Sequence, residues 1–156
     1  MKTKQVTANQ IVSLLARRHT KDVFLSECKT GYSWSRTAVC RRLDAWAMRK
    51  SWTKPYSYGY EIKVSRADWL RDRKWEEYLP FCTHFFIVTT PGVITDAKKE
   101  IPAEVGWLET SKKGGRLFIK KNAKYRKLQV PEDLYRYILM WRSEINDSQR
   151  GLEVVA

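Results

Sequence analysis

The stretch from Tyr58 to Val64 constrains the fold of this chain most. Its aromatic and β-branched residues are typical of a β-strand. Because side chains alternate across a strand, Glu61 and Lys63 leave one face and Ile62 leaves the other. Burying either charge without a partner is costly. The sequence therefore predicts a compensated polar site on a strand that is otherwise apolar.

A second carboxylate lies upstream of this strand. Residues 41–64 fit an antiparallel hairpin with residues 51–57 as its connection, and in that pairing Asp44 lies beside Glu61. Proteins commonly hold Mg²⁺ with one or two carboxylates plus substrate phosphate oxygens, and a lysine can offset charge that develops on a phosphate. Asp44, Glu61 and Lys63 are therefore predicted to form a catalytic site that binds Mg²⁺ or Mn²⁺. The alternative is an ordinary cross-strand ion pair, worth about 0.2–1 kcal/mol.

The strongly basic composition indicates a polyanionic partner. Thirty Lys and Arg against 17 Asp and Glu give a net charge of +13, and residues 111–127 contain eight basic residues and no acidic one. Nucleic acid is the first expectation for such a domain, and phosphate contacts of this kind are salt-sensitive and blind to sequence. The alternative for residues 111–127 is a solubilising hairpin. The residues predicted to contact DNA are Arg41, Arg42, Arg71, Arg73, Lys112, Lys113, Arg116 and Lys120.

The order of predicted elements indicates an α/β domain with a mixed sheet. Besides the hairpin, the patterns predict a helix over about 8–18, a strand or short helix over 22–28, a helix from Ser65 to Leu79, a strand over 84–89, a hairpin of 106–109 with 116–119, and a helix from Pro131 to about Ile145. Residues 32–39 are ambiguous, and residues 93–105 are predicted to form a loop with a helical turn.

Two helix faces follow from the helical period of 3.6 residues. The helix that begins after Ser65 is predicted to present a stripe that excludes Trp69. Trp69 would then either be exposed near Arg73, where it could stack on a nucleobase, or pack against a neighbouring loop. The residues of that stripe are Ala67, Leu70, Arg71, Lys74, Trp75 and Tyr78. The last helix is predicted to carry Leu134, Ile138 and Trp141 on one side.

Length and cysteine usage indicate the setting. At 156 residues the chain is expected to form a single domain, 1–156, with enough core to fold alone. Its three cysteines are odd in number and lack C-x-x-C spacing, which favours a reducing compartment. With no apolar leader and no run of membrane-spanning length, we expect a soluble cytoplasmic protein of a bacterial or phage-infected cell, without a membrane partner.

Asp44, the run Glu61-Ile62-Lys63 and the helix after it resemble the PD-(D/E)XK nuclease superfamily. The runs 41–44, 59–68 and 72–78 look especially like its MmcB-like branch of DNA-repair proteins. The similarity covers about residues 8–109. Leu43 stands where the superfamily often has proline before the first acid.

The resemblance implies a restriction-endonuclease-like fold, with a mixed sheet flanked by helices and a C-terminal basic hairpin and helix over 106–146. It implies metal binding by Asp44, Glu61, Ile62 and Glu27, and catalytic roles for Asp44, Glu61, Lys63 and Lys74. For Glu27 a solvated acid, and for Lys74 a packed stem with an outward amine, are the alternatives.

The function expected from these residues is metal-dependent hydrolysis of phosphodiester bonds in DNA, in repair or related processing. Two other functions fit the same composition. One is a catalytically silent nuclease fold that binds DNA without cutting it, and the other is a basic RNA-binding or assembly protein. A chain this small often needs a second copy to cut both strands, so a homodimer is a further expectation.

Overall fold

A six-stranded mixed sheet forms the centre of the molecule. The computed structural model describes residue 2 and residues 4–31 and 40–143. The strands lie side by side in sequence order, and their bounds are β1 Val23–Lys29, β2 Arg42–Met48, β3 Ser57–Lys63, β4 His84–Thr89, β5 Gly106–Thr110 and β6 Leu117–Lys121. The pairs β3–β4 and β4–β5 are parallel and the other three are antiparallel. The predicted α/β class, with helices flanking a mixed sheet, is confirmed.

The helices are short, except for the first. They are α1 Ala8–Arg18, α2 Arg66–Arg71, α3 Ala97–Glu100 and α4 Glu132–Tyr137, with a 3₁₀-helix Lys74–Phe81 after α2 and a π-helical turn Ile138–Arg142 after α4. Helix α1 begins with a capping box, because the Gln10 N–H donates to Thr7 Oγ1 at 3.3 Å and the Thr7 N–H donates to Gln10 Oε1 at 2.8 Å. In the described part of the chain, no helix is long and apolar enough to cross a membrane.

Both faces of the central strands are covered. On one face, Ile11 and Leu15 of α1 pack on a layer formed by Ala45, Tyr60, Phe86, Val88 and Leu108. On the other face lies a larger apolar cluster that includes Trp46, Trp69, Phe85, Ile87, Trp107 and Leu134. Strand β4 is buried along almost all of its length, as its apolar run predicts. Charged groups on the neighbouring β3 therefore lie in a setting largely shielded from water.

The predicted helix from Ser65 to Leu79 is wrong as one continuous element. It breaks at Asp72, whose backbone is extended and whose Oδ1 accepts the Lys74 N–H at 3.2 Å. Such side-chain to backbone bonds compete with helical hydrogen bonds. The break also overturns the predicted stripe, since Trp69 is 1% exposed and donates through Nε1 to Glu100, whereas Leu70 is 50% exposed.

The last predicted helix also differs from expectation. Leu134 is fully buried, but Trp141 is 74% exposed and does not share its side. A π-helical turn has more residues per turn than an α-helix, so the turn over Ile138–Arg142 rotates Trp141 away from the core. The segment 22–28, which was open between helix and strand, forms β1 from Val23 onward. The ambiguous segment 32–39 and the helix end near Ile145 lie outside the described residues.

Candidate metal and phosphate site

The β2–β3 hairpin brings the two predicted carboxylates together. Ala45 pairs with Tyr60 in the antiparallel register, so the next step along the strands sets Asp44 opposite Glu61. Asp44 Oδ2 accepts the Ile62 N–H at 2.7 Å, which fixes the carboxylate against the adjacent strand. The two acids are partly buried, and each influences the protonation of the other. The juxtaposition predicted from strand alternation is present.

Lys63 lies between two carboxylates on the same face. Its Nζ is 3.4 Å from Glu61 Oε1 and 3.4 Å from Asp72 Oδ2. The side chains of Lys63 and Glu61 are only 9% and 12% exposed, whereas that of Asp72 is 44% exposed. The amine is therefore held at the edge of the site by a buried acid on one side and a solvated acid on the other.

Crowding of the acids shifts their protonation. Burial first, and the charge of Asp44 second, raise the pKa of Glu61 to about 8, against the opposing effect of Lys63. Burial also raises the pKa of Asp44, although the Ile62 N–H and Lys63 act in the other direction. Two interacting acids of this kind titrate as a pair. Near neutral pH the pair therefore retains a proton that isolated carboxyl groups would have lost.

The donor set suits a hard cation such as Mg²⁺ or Mn²⁺. Asp44 and Glu61 supply carboxylate oxygens. The N–H and C=O of a strand residue point to the same side, and because the Ile62 N–H points at Asp44, the Ile62 carbonyl lies on that side too. A divalent cation here would replace the proton shared by the acids. The remaining coordination positions would go to water and phosphate oxygens.

Glu27, the predicted third acid, does not join the pair. Within residues 4–31 and 40–143, no three His, Cys, Asp or Glu side chains are grouped to hold a metal ion. Glu27 is exposed and has a left-handed backbone, with φ of 47°. This conformation interrupts β1 between the pairs Ser26–Ala45 and Cys28–Leu43. The left-handed backbone of Glu27 thus distorts β1 beside Asp44, and the Glu27 carboxylate is not grouped with the acid pair.

Two residues near the site could not be assigned to it from sequence. Asp72 ends α2. Its slight burial acts to raise its pKa, but the hydrogen bond from the Lys74 N–H and the charge of Lys63 outweigh this effect and lower the pKa. Tyr78 lies on the 3₁₀-helix, where burial and then the carboxylates of Glu61, Asp72 and Asp44 raise its pKa to about 12. Tyr78 therefore stays a hydroxyl donor at all ordinary pH values. Both residues fall in the run 72–78 that carries part of the resemblance, but nothing in that run gives either of them a role at the site.

Lys74, the predicted accessory catalytic residue, is the first residue of the 3₁₀-helix. Its side chain is exposed, and its charge acts on Asp72, whose pKa it helps to lower. Its backbone N–H is the group that bonds Asp72. Lys74 is thus linked to the acid pair through Asp72 and Lys63, and its amine is not buried against Asp44 and Glu61.

The arginines predicted to contact DNA differ in how free they are. Arg41 makes a two-pronged contact with Glu77, with Nε–Oε2 at 2.7 Å and Nη2–Oε1 at 2.8 Å. Arg71 is mostly exposed and 3.4 Å from Asp68. Arg42 and Arg73 are exposed. Arg42, at the start of β2, contributes a positive charge near Asp44.

The predicted basic hairpin is β5–β6, and its turn carries exposed Lys112, Lys113 and Arg116. Gly114 in this turn has φ of 74°, a conformation that favours glycine. Lys120 is 4.0 Å from Glu109 and lies 5.8 Å from the centre of the Trp107 ring. Not every cation of residues 111–127 is available, because Lys121 donates to the Pro102 carbonyl and Arg126 donates to the Leu79 and Cys82 carbonyls.

Comparison with known proteins supports the fold. No family model matches the sequence, and no curated protein matches it. A solved structure of a protein of unknown function from Silicibacter pomeroyi has a similar fold, with a TM-score of 0.61 and 22% sequence identity. The alignment covers 99% of this chain and 92% of that chain. At this identity the similarity concerns the fold alone.

Proposed function

We propose that this chain is a deoxyribonuclease of the PD-(D/E)XK type that depends on Mg²⁺ or Mn²⁺ and hydrolyses phosphodiester bonds in DNA repair or processing. One observation carries the proposal. Asp44 and Glu61 form a partly buried acid pair on neighbouring strands, with the Lys63 amine 3.4 Å from Glu61. A structural ion pair needs only one acid for one lysine. Here a second acid, Asp44, lies beside the Glu61–Lys63 pair in a position largely shielded from water.

The chemistry of the acid pair supports metal binding. The raised pKa values of Asp44 and Glu61 mean that negative charge on both acids is poorly compensated in the metal-free chain, so a bound cation would be favourable there. Mg²⁺ takes oxygen ligands and keeps several waters, which fits a site with two carboxylates and the Ile62 carbonyl. When bound, such a metal lowers the pKa of a coordinated water and polarises a phosphoryl oxygen.

The residues around the metal ligands orient the phosphate and the attacking water. Lys63 presents a charged donor beside Glu61, where it can hold the water or a non-bridging phosphate oxygen. Asp72, at 3.4 Å, restrains the Lys63 amine from the solvent side. The Ile62 N–H keeps Asp44 fixed on the neighbouring strand. Such preorganisation places the donors before the substrate arrives.

A catalytically silent DNA-binding fold is the second candidate. It is favoured by the lack of a third acid beside Asp44 and Glu61 within the described ranges. The exposed cations of the β5–β6 turn would serve DNA binding equally well with or without cleavage.

Nicking of supercoiled plasmid in Mg²⁺, Mn²⁺ or EDTA tests the proposal. The variants are Asp44→Asn, which keeps an acceptor for the Ile62 N–H, and Lys63→Ala. Asp68→Asn and Lys99→Ala are matched controls, because both change exposed charges on other elements. We expect metal-dependent nicking that falls by about 10²–10³-fold in the site variants and is unchanged in the controls. DNA binding without nicking, unaffected by Asp44→Asn, would identify the silent fold.

A further inference from the structure

The turn between β2 and β3 presents a tryptophan to solvent. The Trp52 side chain is fully exposed, and the residues flanking it include the exposed cations Arg49, Lys50 and Lys54. The turn is held by hydrogen bonds from the Arg49 N–H to the Tyr56 carbonyl at 2.9 Å and from the Lys54 N–H to Ser51 Oγ at 3.1 Å. A large apolar ring is thus displayed on an ordered, positively charged turn, although it contributes nothing to the core.

The turn leads along the chain to Tyr56, the first of a row of partly exposed rings that is here called the aromatic strip: Tyr56, Tyr58, His84 and Tyr125. Tyr58 stacks on His84 with ring centres 5.1 Å apart. Tyr56 lies 5.3 Å from both His84 and Tyr125. Tyr125 is 49% exposed, and the other three rings are partly exposed. The strip lies at the beginning of β3 and β4, away from Glu61 and Lys63 at the end of β3.

The strip is held by groups other than its rings. Ser57 and Thr83 exchange hydrogen bonds between β3 and the start of β4, including Thr83 Oγ1 to the Ser57 carbonyl at 2.9 Å. Arg126 fixes the segment that carries Tyr125, because its N–H donates to the Thr83 carbonyl at 2.9 Å and its guanidinium donates to the Cys82 carbonyl at 2.7 Å. Truncating an exposed ring therefore leaves this framework in place.

The charge around the strip is positive. Residues 45–60 and 110–131 contain no Asp or Glu. Arg49 lies 5.3 Å from the centre of the Tyr56 ring, and Lys124 and Lys127 flank Tyr125 in exposed positions. Asp22 adds a negative charge near Tyr58, but it is engaged by His19 at 2.8 Å. A polyanion with flat apolar groups matches this surface.

We propose that Trp52 and the aromatic strip bind single-stranded DNA, with bases stacking on the rings and the flanking cations contacting phosphates. Aromatic side chains stack on bases of any sequence, and cationic grooves follow the backbone. Duplex DNA offers no comparable contact, because its base faces are already stacked on one another. The choice of DNA over RNA rests on the proposed nuclease function, but the stacking surface itself does not.

The position of the surface relates it to the acid pair. Strands β2 and β3 carry Asp44 and Glu61 at one end and the Trp52 turn at the other. The span from Asp44 to Met48 is about 13 Å at the usual rise of a strand. Single-stranded DNA bound at the Trp52 turn would therefore lie at one end of the β2–β3 hairpin, and the candidate metal site lies toward the other end.

Fluorescence anisotropy with labelled oligothymidylate of about 12 nucleotides tests the proposal. The titration is done in EDTA at low salt, so that cleavage plays no part. We expect Trp52→Ala and Tyr125→Ala each to weaken binding by about 5- to 100-fold. Trp141→Ala, which removes an exposed tryptophan from the C-terminal π-helical turn, should leave binding unchanged. Thermal unfolding should show equal stability for the three variants.

Several outcomes would overturn the inference. One is equal affinity of the Trp52→Ala and Trp141→Ala variants for oligothymidylate. Others are tighter binding of a DNA duplex, or of RNA of the same length, than of single-stranded DNA. The last is Trp52-dependent binding to phosphatidylserine vesicles without binding to DNA. The result is separable from the nuclease proposal. If binding in EDTA depends on Trp52 but the protein does not nick plasmid in Mg²⁺, the single-strand-binding surface is supported and the nuclease proposal is refuted. If the protein nicks plasmid but Trp52→Ala does not weaken binding, the nuclease proposal is supported and the binding surface is refuted.

Discussion

Replacing Glu61 by glutamine should stabilise the metal-free protein at high pH. In the folded chain the pKa of Glu61 rises from its usual 4.5 to about 8, through burial and the charge of Asp44. A raised carboxyl pKa means that the folded state holds its proton more tightly than the unfolded state. The contribution of Glu61 to the free energy of unfolding is therefore greatest below about pH 4.5 and is lost as the pH rises through about 8.

The size of the effect follows from the pKa. Each pH unit between the two pKa values is worth about 1.4 kcal/mol, so ionising Glu61 opposes folding by at most about 5 kcal/mol. Part of this cost is shared with Asp44, since the two acids titrate together. We therefore expect Glu61→Gln to raise the free energy of unfolding by about 2–5 kcal/mol at about pH 8.5 and by under about 1 kcal/mol at about pH 5.

Urea unfolding in EDTA, followed by tryptophan fluorescence at both pH values, measures this difference. Glu109→Gln is the matched control, because Glu109 is also a partly buried strand acid facing a lysine, Lys120 at 4.0 Å. Its effect should not change with pH by more than about 1 kcal/mol. A Glu61→Gln variant that destabilises the protein equally at both pH values would refute the crowded acid pair. In a buffer with Mn²⁺ in place of EDTA, the wild type should become more stable and the variant should be nearly unaffected.

Three further predictions test other parts of the structure. Trp69→Ala should lower the free energy of unfolding by about 3–5 kcal/mol in urea, whereas exposed Leu70→Ala should cost under about 1 kcal/mol; equal costs would contradict the observed helix orientation. Gly59→Ala should lower the melting temperature, costing about 1–3 kcal/mol, because its Cβ would lie 2.8 Å from Cys82 Sγ; an unchanged melting temperature would contradict this packing. Asp72→Asn should slow plasmid nicking by about tenfold, less than Lys63→Ala does, and a loss as large as that of Lys63→Ala would refute its indirect role.

The strand pattern was sufficient to predict the acid pair. Alternation puts Glu61 and Lys63 on one face, and the length of the hairpin connection brings Asp44 opposite Glu61. Strand alternation and the length of the connection are local properties, so they can be predicted without knowledge of the rest of the fold. The α/β class was predictable for the same reason, because the strand and helix periods are local as well.

The residues that sequence reasoning missed depend on tertiary contacts. Asp72 reaches Lys63 only because α2 ends there, and the helical pattern from Ser65 to Leu79 hides that break. Trp69 is buried in the apolar cluster that includes Val93 and Ile101, which are distant from it in sequence. The left-handed backbone of Glu27 has no residue-type signal, since glutamate rarely adopts it.

Electron paramagnetic resonance of Mn²⁺ with the wild-type protein and with Asp44→Asn, Glu61→Gln and Asp68→Asn variants shows whether the acid pair holds a metal ion. We expect one tight Mn²⁺ ion per wild-type chain, with affinity that rises between about pH 6 and pH 8 as the acid pair loses its proton. The Asp68→Asn variant should bind as the wild type does, and the two site variants should lose the tight ion. Tight Mn²⁺ binding that persists in both site variants, or no tight binding to the wild type, would contradict the account.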